Sequence, residues 1–309
     1  MPPNLSSVEI PPRSPTLDDL LRTCPELKRE DVQHLQDWIE KQPHLPSISD
    51  EHLVTFLNAC YYSLERAKVM IDKHYTIRTH APDLFSNVDV LSPAIQNQLK
   101  LFEMATLRWK TPLGYWVSAS RALPHVSASE FIFDVDIKIS LMAIDVMNRL
   151  DPVSPGHILI LDSAGITMAH AARAGIGTIR KLFTYAQGAL NLRLKEIHVI
   201  HVTPIIDHIM GIVKPFLGKE LAEMLHFHSG EMEGFYKQFP KEILPKEFGG
   251  TCLNMASYHD YAIQRITENR EWLLSQATLR VDENRRPGRA TSAEDLFGME
   301  GSFKRLEID

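Results

Sequence analysis

Two short apolar runs, separated by a helical stretch, constrain the fold of this chain more than any other feature. Residues 157–162 read HILILD and lead into the turn letters SAG, and residues 196–202 read EIHVIHV just before Pro204. Each run has the length and the β-branched content of a buried strand. Residues 171–187 carry a helical pattern, which suits the crossover that two parallel strands require. The sequence therefore predicts an α/β fold with a mostly parallel sheet.

Helical patterns dominate the first hundred residues. Val32, Leu35 and Ile39 repeat at spacings of three and four, and two further helices begin near Asp50 and Ser63. The first sixteen residues are rich in proline and serine, a composition typical of disorder. The predicted division is a disordered N-terminus at 1–16, a helical subdomain at 17–100, an α/β domain at 101–278 and a flexible, charged C-terminal tail at 279–309.

The composition excludes several classes of protein. The formal net charge is −6, which argues against a nucleic-acid binder. Cys24, Cys60 and Cys252 form no CxxC motif, so neither a disulfide framework nor a cysteine zinc site is expected, and a reducing compartment fits. The chain has no apolar signal segment and no apolar run of about 18 residues. We expect a cytoplasmic monomer whose contact with membranes is peripheral and transient.

Groups that would carry catalysis do not form a recognisable set. Residues 175–177 read GIG, which is too short for a dinucleotide loop. His198 and His201 are three apart on a predicted strand and therefore lie on opposite faces. His226 and His228 could offer imidazoles to a metal, but at spacing i,i+2 on a predicted helix they do not share a face. A structural role is favoured for each of these two pairs of histidines. We therefore expect no enzyme activity, cofactor or metal.

The helix predicted over residues 129–150 has one apolar side. At about 100° per residue, Phe133, Ile137, Ile144 and Met147 fall on that side together with the hydroxyl of Ser140. Two interpretations of Ser140 are open. It bonds back to a carbonyl four residues earlier in the same helix, or it orients the polar end of a mostly apolar ligand.

Residues 205–213, which read IIDHIMGIV, are apolar over more than half of a helical circumference. The segment starts after Pro204 and ends in Lys214-Pro215. One interpretation is a core helix. The other is a lid whose inner side covers a pocket and whose outer side meets a bilayer, with Gly211 easing its movement.

Three motifs, in this order along the chain, resemble those of one family. Residues 160–165 read ILDSAG, residues 196–204 read EIHVIHVTP ahead of VKPFL at 213–217, and residues 239–250 read FPKEILPKEFGG. The last block resembles the PxxxLPxEYGG motif of the CRAL-TRIO (Sec14-like) lipid-binding family. The similarity spans residues 17–275 and is strongest to the branch of α-tocopherol transfer and retinaldehyde-binding proteins.

The resemblance implies a deep apolar cavity beneath a lid helix in the α/β domain. By position, the implied pocket lining is Ile137, Ser140, Ile144, Met168, Leu182, Tyr185, Ala186, Leu192, Leu194 and Ile197. The implied inner face of the lid is Ile205, Ile206, Ile209, Met210 and Val213. Ser140 keeps one of two pocket serines and Ile144 replaces the other, so the implied pocket is less polar than in the tocopherol carriers.

The resemblance also implies a role. The expected function is an intracellular carrier that binds a small tocopherol-, retinoid- or carotenoid-like ligand and transfers it to membranes. A lipid-sensing adaptor that presents its ligand to a protein partner is the alternative. Arg193 and Lys195 match basic residues with which some relatives bind phosphoinositide headgroups on anionic membranes. Glu220 and Met224 replace two further basic residues, and Lys214 and Lys219 lie nearby in the sequence.

Overall fold

A five-stranded sheet forms the centre of the molecule. The computed structural model describes residue 11, residues 13–124 and residues 126–298. The strands, in the order β1-β2-β3-β4-β5 across the sheet, are β1 (Phe102–Lys110), β2 (Trp116–Ala122), β3 (His157–Asp162), β4 (Leu194–Ile200) and β5 (Leu225–Phe227). β1 and β2 are antiparallel, and β2 to β5 pair in parallel. The predicted α/β fold with a mostly parallel sheet is confirmed.

Helices lie before, between and after the strands. The first are α1 (Leu17–Thr23), α2 (Arg29–Ile39), α3 (Asp50–Ala59), α4 (Leu64–His80), α5 (Pro82–Phe85) and α6 (Pro93–Gln98). Those of the sheet region are α7 (Phe133–Leu150), α8 (Met168–Ala171), α9 (Ile176–Gly188), α10 (Ile205–Val213), α11 (Lys219–Glu223) and α12 (Glu233–Gln238). Those that follow are α13 (Met255–Glu268), α14 (Arg270–Gln276) and α15 (Ala293–Phe297). No helix among these residues is long and apolar enough to cross a membrane.

The N-terminal helices enclose a core of their own. Leu35, Leu53, Phe56 and Ile71 are fully buried in it, drawn from α2, α3 and α4. Ser49 caps α3 by accepting a hydrogen bond from the backbone of His52, which is why that helix begins at Asp50. Within residues 1–16, the Ser14 hydroxyl donates to the Arg149 carbonyl at 3.1 Å. The rest of that segment lies outside the described residues.

Both faces of the sheet are covered. Side chains of one face, among them Leu107 and Ile160, pack with the aromatic side chains of Phe235, Phe239 and Phe248. The opposite face, which includes Trp116, packs against α7. The side chains that α7 buries there are Ile139, Met142, Val146, Met147 and Leu150. With the exception of Met147, they are not the stripe that the sequence predicted to face inward.

The chain after residue 279 packs against the N-terminal helices. The Val281 amide donates to Thr79 Oγ1 at 3.0 Å, and Arg286 Nη1 donates to Asp72 Oδ1 at 2.8 Å. Phe297 is only 3% exposed. Residues 279–298, predicted as part of a flexible tail, thus make specific contacts with α4. Residues 299–309 of that prediction lie outside the described range.

His157 on β3 makes stability dependent on pH. Burial lowers the pKa of its imidazole from 6.5 to about 4. The unfolded chain therefore takes up this proton near pH 6.5 and the folded chain does not, so stability is complete above pH 6.5 and is lost as the pH falls. We expect a loss of about 2 kcal/mol at pH 5 from this residue. Fully buried His74, whose pKa burial also lowers, acts in the same direction.

Urea unfolding at pH 7 and pH 5 measures this effect. A His157→Asn variant is expected to lose about 2 kcal/mol less than the unmodified protein between the two values. His34→Asn, which changes an exposed histidine, is the matched control and keeps the full loss. An unchanged pH dependence in His157→Asn would contradict the assignment.

Candidate ligand-binding site

The predicted pocket residues lie on α7, α8, α9 and β4, and Leu192 lies in the loop before β4. Ile137, Ser140 and Ile144 on α7 are each only partly buried, although the neighbouring Ile139 and Leu141 are fully buried. Ile137, Ile144 and Leu192 pack against the cluster that contains Tyr185. Leu182, Ala186 and Leu194 are also partly buried. Each of these apolar side chains is thus left incompletely covered by the rest of the protein.

Tyr185 differs from the other predicted lining residues because its hydroxyl is already engaged. It accepts hydrogen bonds from Arg78 Nε at 3.3 Å and Arg78 Nη2 at 3.2 Å, and it lies 3.3 Å from His74 Nδ1. Its ring is 1% exposed. Tyr185 therefore attaches the last turn of α9 to α4. Its hydroxyl is occupied by these contacts and is not available to a ligand.

Two further predicted residues, Met168 and Ile197, differ from the others in how much of their side chains is exposed to solvent. Met168 is on the short helix α8 and is 50% exposed. Ile197 is buried within β4, where it is in register with Leu159 and Leu225 of the neighbouring strands. Neither belongs to the cluster that Ile137 and Ile144 contact.

α10 is an apolar helix that the protein hardly covers. Ile206 is its one buried residue, whereas Ile205, Ile209, Met210 and Val213 are partly buried. The helix packs mainly against the 3-10 turn Lys214–Phe216 that follows it. A Cβ added at Gly211 would meet nothing within 4 Å. These features differ from those of a core helix, in which apolar side chains are enclosed on most sides.

The four predicted basic residues fall into two environments. Arg193 Nε donates to the Asn58 carbonyl at 2.6 Å, and its guanidinium lies 4.1 Å from the centre of the Tyr61 ring. Lys195 Nζ donates to the Tyr61 hydroxyl at 2.8 Å, and this hydrogen bond holds the pKa of Tyr61 below its ordinary value. Both therefore join the start of β4 to the end of α3 and the turn that follows it. Lys214 and Lys219 are exposed.

A polar cleft that the sequence did not predict lies where the N-terminal helices meet α7. Its volume is about 270 Å³, and His52, Asp145, Asn148, Asn191 and Trp272 contribute to its wall. None of the predicted pocket residues lines it. A wall of this polarity is unsuited to a wholly apolar guest. Sequence spacing could not reveal the cleft, because its residues come from five separate segments.

The sequence interpretation of His226 and His228 placed them on a helix, and that placement is wrong. His226 lies on β5 and is in register with His198 of β4, and His228 follows directly after the strand. Residues two apart on a strand share a face. Both rings accordingly stack on the ring of His198, at centroid distances of 4.9 and 5.2 Å.

Comparison with known proteins assigns the fold to a family. The model described as CRAL/TRIO domain matches residues 116–250, a range that begins with β2 and ends at the second glycine of FPKEILPKEFGG. The model described as Pinta-like, UBA domain matches residues 24–95, which contain the N-terminal helices. Residues 116–250 therefore match the CRAL/TRIO domain, and the resemblance predicted from the sequence motifs is confirmed.

Individual relatives refine this assignment. The chain is 28% identical to the Mus musculus protein "Alpha-tocopherol transfer protein-like" over 245 residues, covering 77% of this chain and 70% of that protein. It is 21% identical to "Clavesin-2" of Rattus norvegicus over 234 residues, covering 74% and 71%. The solved structure titled "Crystal structure of Sfh5" covers 81% of this chain and 98% of its own, at a TM-score of 0.41 and 10% identity. The first relative is named for α-tocopherol transfer, which agrees with the branch that the sequence motifs resemble.

Proposed function

We propose that this protein carries a small lipophilic molecule in the α/β domain and delivers it to membranes. The incompletely covered apolar side chains of α7, α9 and β4 are the observation that carries the proposal. A ligand that buried about 400–600 Å² of apolar surface there would gain on the order of 10 kcal/mol before its loss of freedom is subtracted. A bilayer offers such a ligand a similar solvent, so exchange between the two is nearly balanced.

α10 supports the proposal as a lid. A lid must be stable both closed over an apolar ligand and open on an apolar membrane, and a helix with a single buried side chain meets both requirements. Relatives named for tocopherol transfer favour an isoprenoid ligand such as a tocopherol, retinoid or carotenoid. The corresponding organisation is a helical subdomain at 17–100 and a lipid-binding domain at 101–278, acting in the cytoplasm.

The decisive experiment is native mass spectrometry, with organic extraction, of the protein purified from its own tissue. Recovery of one unaltered isoprenoid per chain is the expected result. Vesicle-to-vesicle transfer of that compound then distinguishes a carrier from an adaptor, since an adaptor would bind the ligand without accelerating its transfer. A chemically altered compound would indicate an enzyme instead, and an empty protein would overturn the proposal.

Ser140 is expected to contact the polar end of the ligand. It lies among the partly buried apolar residues of α7, and no hydrogen bond joins its hydroxyl to another described residue. Ser140→Ala should weaken binding of a hydroxyl-bearing probe, α-tocopherol, by about 1 kcal/mol, which is roughly fivefold. Fluorescence titration measures the change. Ser275→Ala, a hydroxyl bonded within α14, is the control, and equal affinities of all three proteins would remove Ser140 from the site.

Lys214 and Lys219 are the better test of membrane docking, because Arg193 and Lys195 are held by the Tyr61 turn. A cation near an anionic surface contributes about 1 kcal/mol, so the double variant Lys214→Gln/Lys219→Gln should bind phosphoinositide vesicles roughly 30-fold more weakly. Ligand affinity should not change. Vesicle co-sedimentation measures binding.

The matched control for docking removes two exposed lysines, one just before and one just after α2. Lys28→Gln/Lys41→Gln changes the net charge equally and is expected to bind vesicles nearly as well as the unmodified protein. An equal loss in both double variants would mean that net charge alone, and not the region beside α10, controls docking.

A further inference from the structure

Three histidines and a glutamate meet at the β4–β5 edge of the sheet. Glu196 and His198 are two residues apart on β4 and therefore share a face, and His226 is directly opposite His198 on β5. One ligand atom from each of Glu196, His198 and His226 lies within 4.8 Å of the other two. Within the described ranges, this is the one group of this kind that could hold an ion through three side chains.

The hydrogen bonds of His198 orient it as a metal ligand is oriented. Its Nε2 lies 2.7 Å from Glu196 Oε2, and its Nδ1 lies 2.9 Å from His228 Nε2. When a cation takes Nε2, the ring proton resides on Nδ1, from which it is donated to His228. A histidine that binds a metal through one nitrogen almost always donates from the other to a fixed acceptor. His228 provides that acceptor.

Burial divides the group into one fixed ligand and two adjustable ones. The His198 side chain is 1% exposed and is held against the ring of Phe239, with centroids 4.9 Å apart. Glu196 is partly exposed and His226 is exposed, so both can turn without disturbing the core. Glu196 also accepts a hydrogen bond from Gln238 of α12. The arrangement is open to solvent on the side where an ion would enter.

From this geometry we infer that Glu196, His198 and His226 form a zinc-binding site, with His228 as the outer partner of His198. Two imidazole nitrogens and one carboxylate oxygen are a donor set that suits Zn²⁺ and leaves a fourth position for water. Zinc bonds of about 2.1 Å separate tetrahedral ligand atoms by roughly 3.4 Å. Binding therefore replaces the hydrogen bond between Glu196 and His198 and turns the exposed His226 ring inward.

The site has a structural consequence that does not depend on lipid carriage. β5 has only three residues and pairs with the sheet along one side, so it is a weak edge strand. A zinc ion bound by side chains of both β4 and β5 would add a link between them. The link would extend to α12, because Gln238 of that helix donates a hydrogen bond to the carboxylate of Glu196. Zinc would therefore stabilise this edge of the sheet.

Isothermal titration of the untagged full chain with zinc chloride at neutral pH tests the inference. One zinc per chain is the expected stoichiometry, checked by elemental mass spectrometry after dialysis. His226→Ala should reduce zinc affinity by at least about 100-fold, and His228→Ala should reduce it by about 10- to 100-fold. His34→Ala, which removes an exposed histidine of α2, should leave zinc affinity unchanged.

Two results would overturn the zinc site. One is the lack of stoichiometric zinc binding by the unmodified chain. The other is undiminished binding by His226→Ala, which would place the zinc elsewhere. Because the His226 side chain is exposed, its loss is not expected to unfold the protein, and circular dichroism of each variant verifies this. A Glu196→Gln variant offers a second check, since it keeps the side-chain shape and should also weaken zinc binding.

Discussion

Replacing Asp145 with asparagine is expected to lower the free energy of unfolding by about 3 kcal/mol. Arg78 Nη2 donates to the two carboxylate oxygens of Asp145 at 2.6 and 2.7 Å, and the two side chains are only 7% and 15% exposed. Burial alone would lower the pKa of Arg78, but Asp145 and Tyr185 outweigh it and raise the pKa above its ordinary value. The guanidinium therefore stays charged, and the asparagine variant leaves that charge buried without a counter-ion.

This ion pair joins three helices from separate parts of the sequence. Arg78 belongs to α4, Asp145 to α7 and Tyr185 to α9, and the guanidinium also lies 4.8 Å from the centre of the Phe85 ring. The N-terminal helices are thereby attached to the α/β domain beside the proposed pocket. Loss of the pair should consequently loosen the pocket as well as lower global stability.

Urea unfolding of a small set of variants separates the charge effect from simple loss of contacts. The double variant Arg78→Met/Asp145→Leu removes both charges and is expected to be more stable than Asp145→Asn alone, because no charge remains buried. Arg289→Gln removes the exposed pair with Asp295 and should change stability little. An Asp145→Asn protein as stable as the unmodified protein would contradict the prediction, because it would mean that water solvates the Arg78 guanidinium.

Sequence patterns located correctly the segments whose ends are determined by residues nearby in the sequence. β3 spans the HILILD run, and α10 spans Ile205–Val213 between one proline and a Lys-Pro pair. Proline cannot donate a backbone hydrogen bond, so the prolines on either side of α10 allow the ends of this helix to be predicted from the sequence alone. The family motifs were equally local, and the CRAL/TRIO match confirms them.

The segments that sequence patterns missed depend on distant partners. β1 carries charged residues that obscure its alternation of apolar and polar side chains. One of them, Glu103, forms an ion pair with Arg121 of β2 at 3.0 Å. α7 buries side chains in two separate clusters, so a single stripe could not describe it: Ile139 packs with the sheet, and Leu141 packs in a cluster with residues of α4, α5 and α9. The three residues of β5 are a strand only because β4 pairs with them, and the zinc-binding group was missed for that reason.

The two glycines that end the FPKEILPKEFGG motif lead to the second large expected effect. Gly249 has a φ of +76°, in the left-handed region that disfavours side chains. Space limits both glycines, since a Cβ at Gly249 would overlap the flexible Tyr236 hydroxyl and a Cβ at Gly250 would overlap the backbone carbonyl oxygen of Leu244. That carbonyl accepts a hydrogen bond from the Cys252 amide at 3.1 Å, and the Leu244 side chain is fully buried.

Gly250→Ala should therefore lower the free energy of unfolding by about 3 kcal/mol, because backbone, rather than a flexible side chain, must move. Gly249→Ala should cost about 1–2 kcal/mol from its backbone conformation. Gly234→Ala is the control, since a Cβ at that position in α12 meets nothing within 4 Å. Urea unfolding ranks the three variants. A Gly250→Ala protein as stable as Gly234→Ala would mean that this loop relaxes freely, and the second glycine would then need an explanation other than the close approach of Leu244.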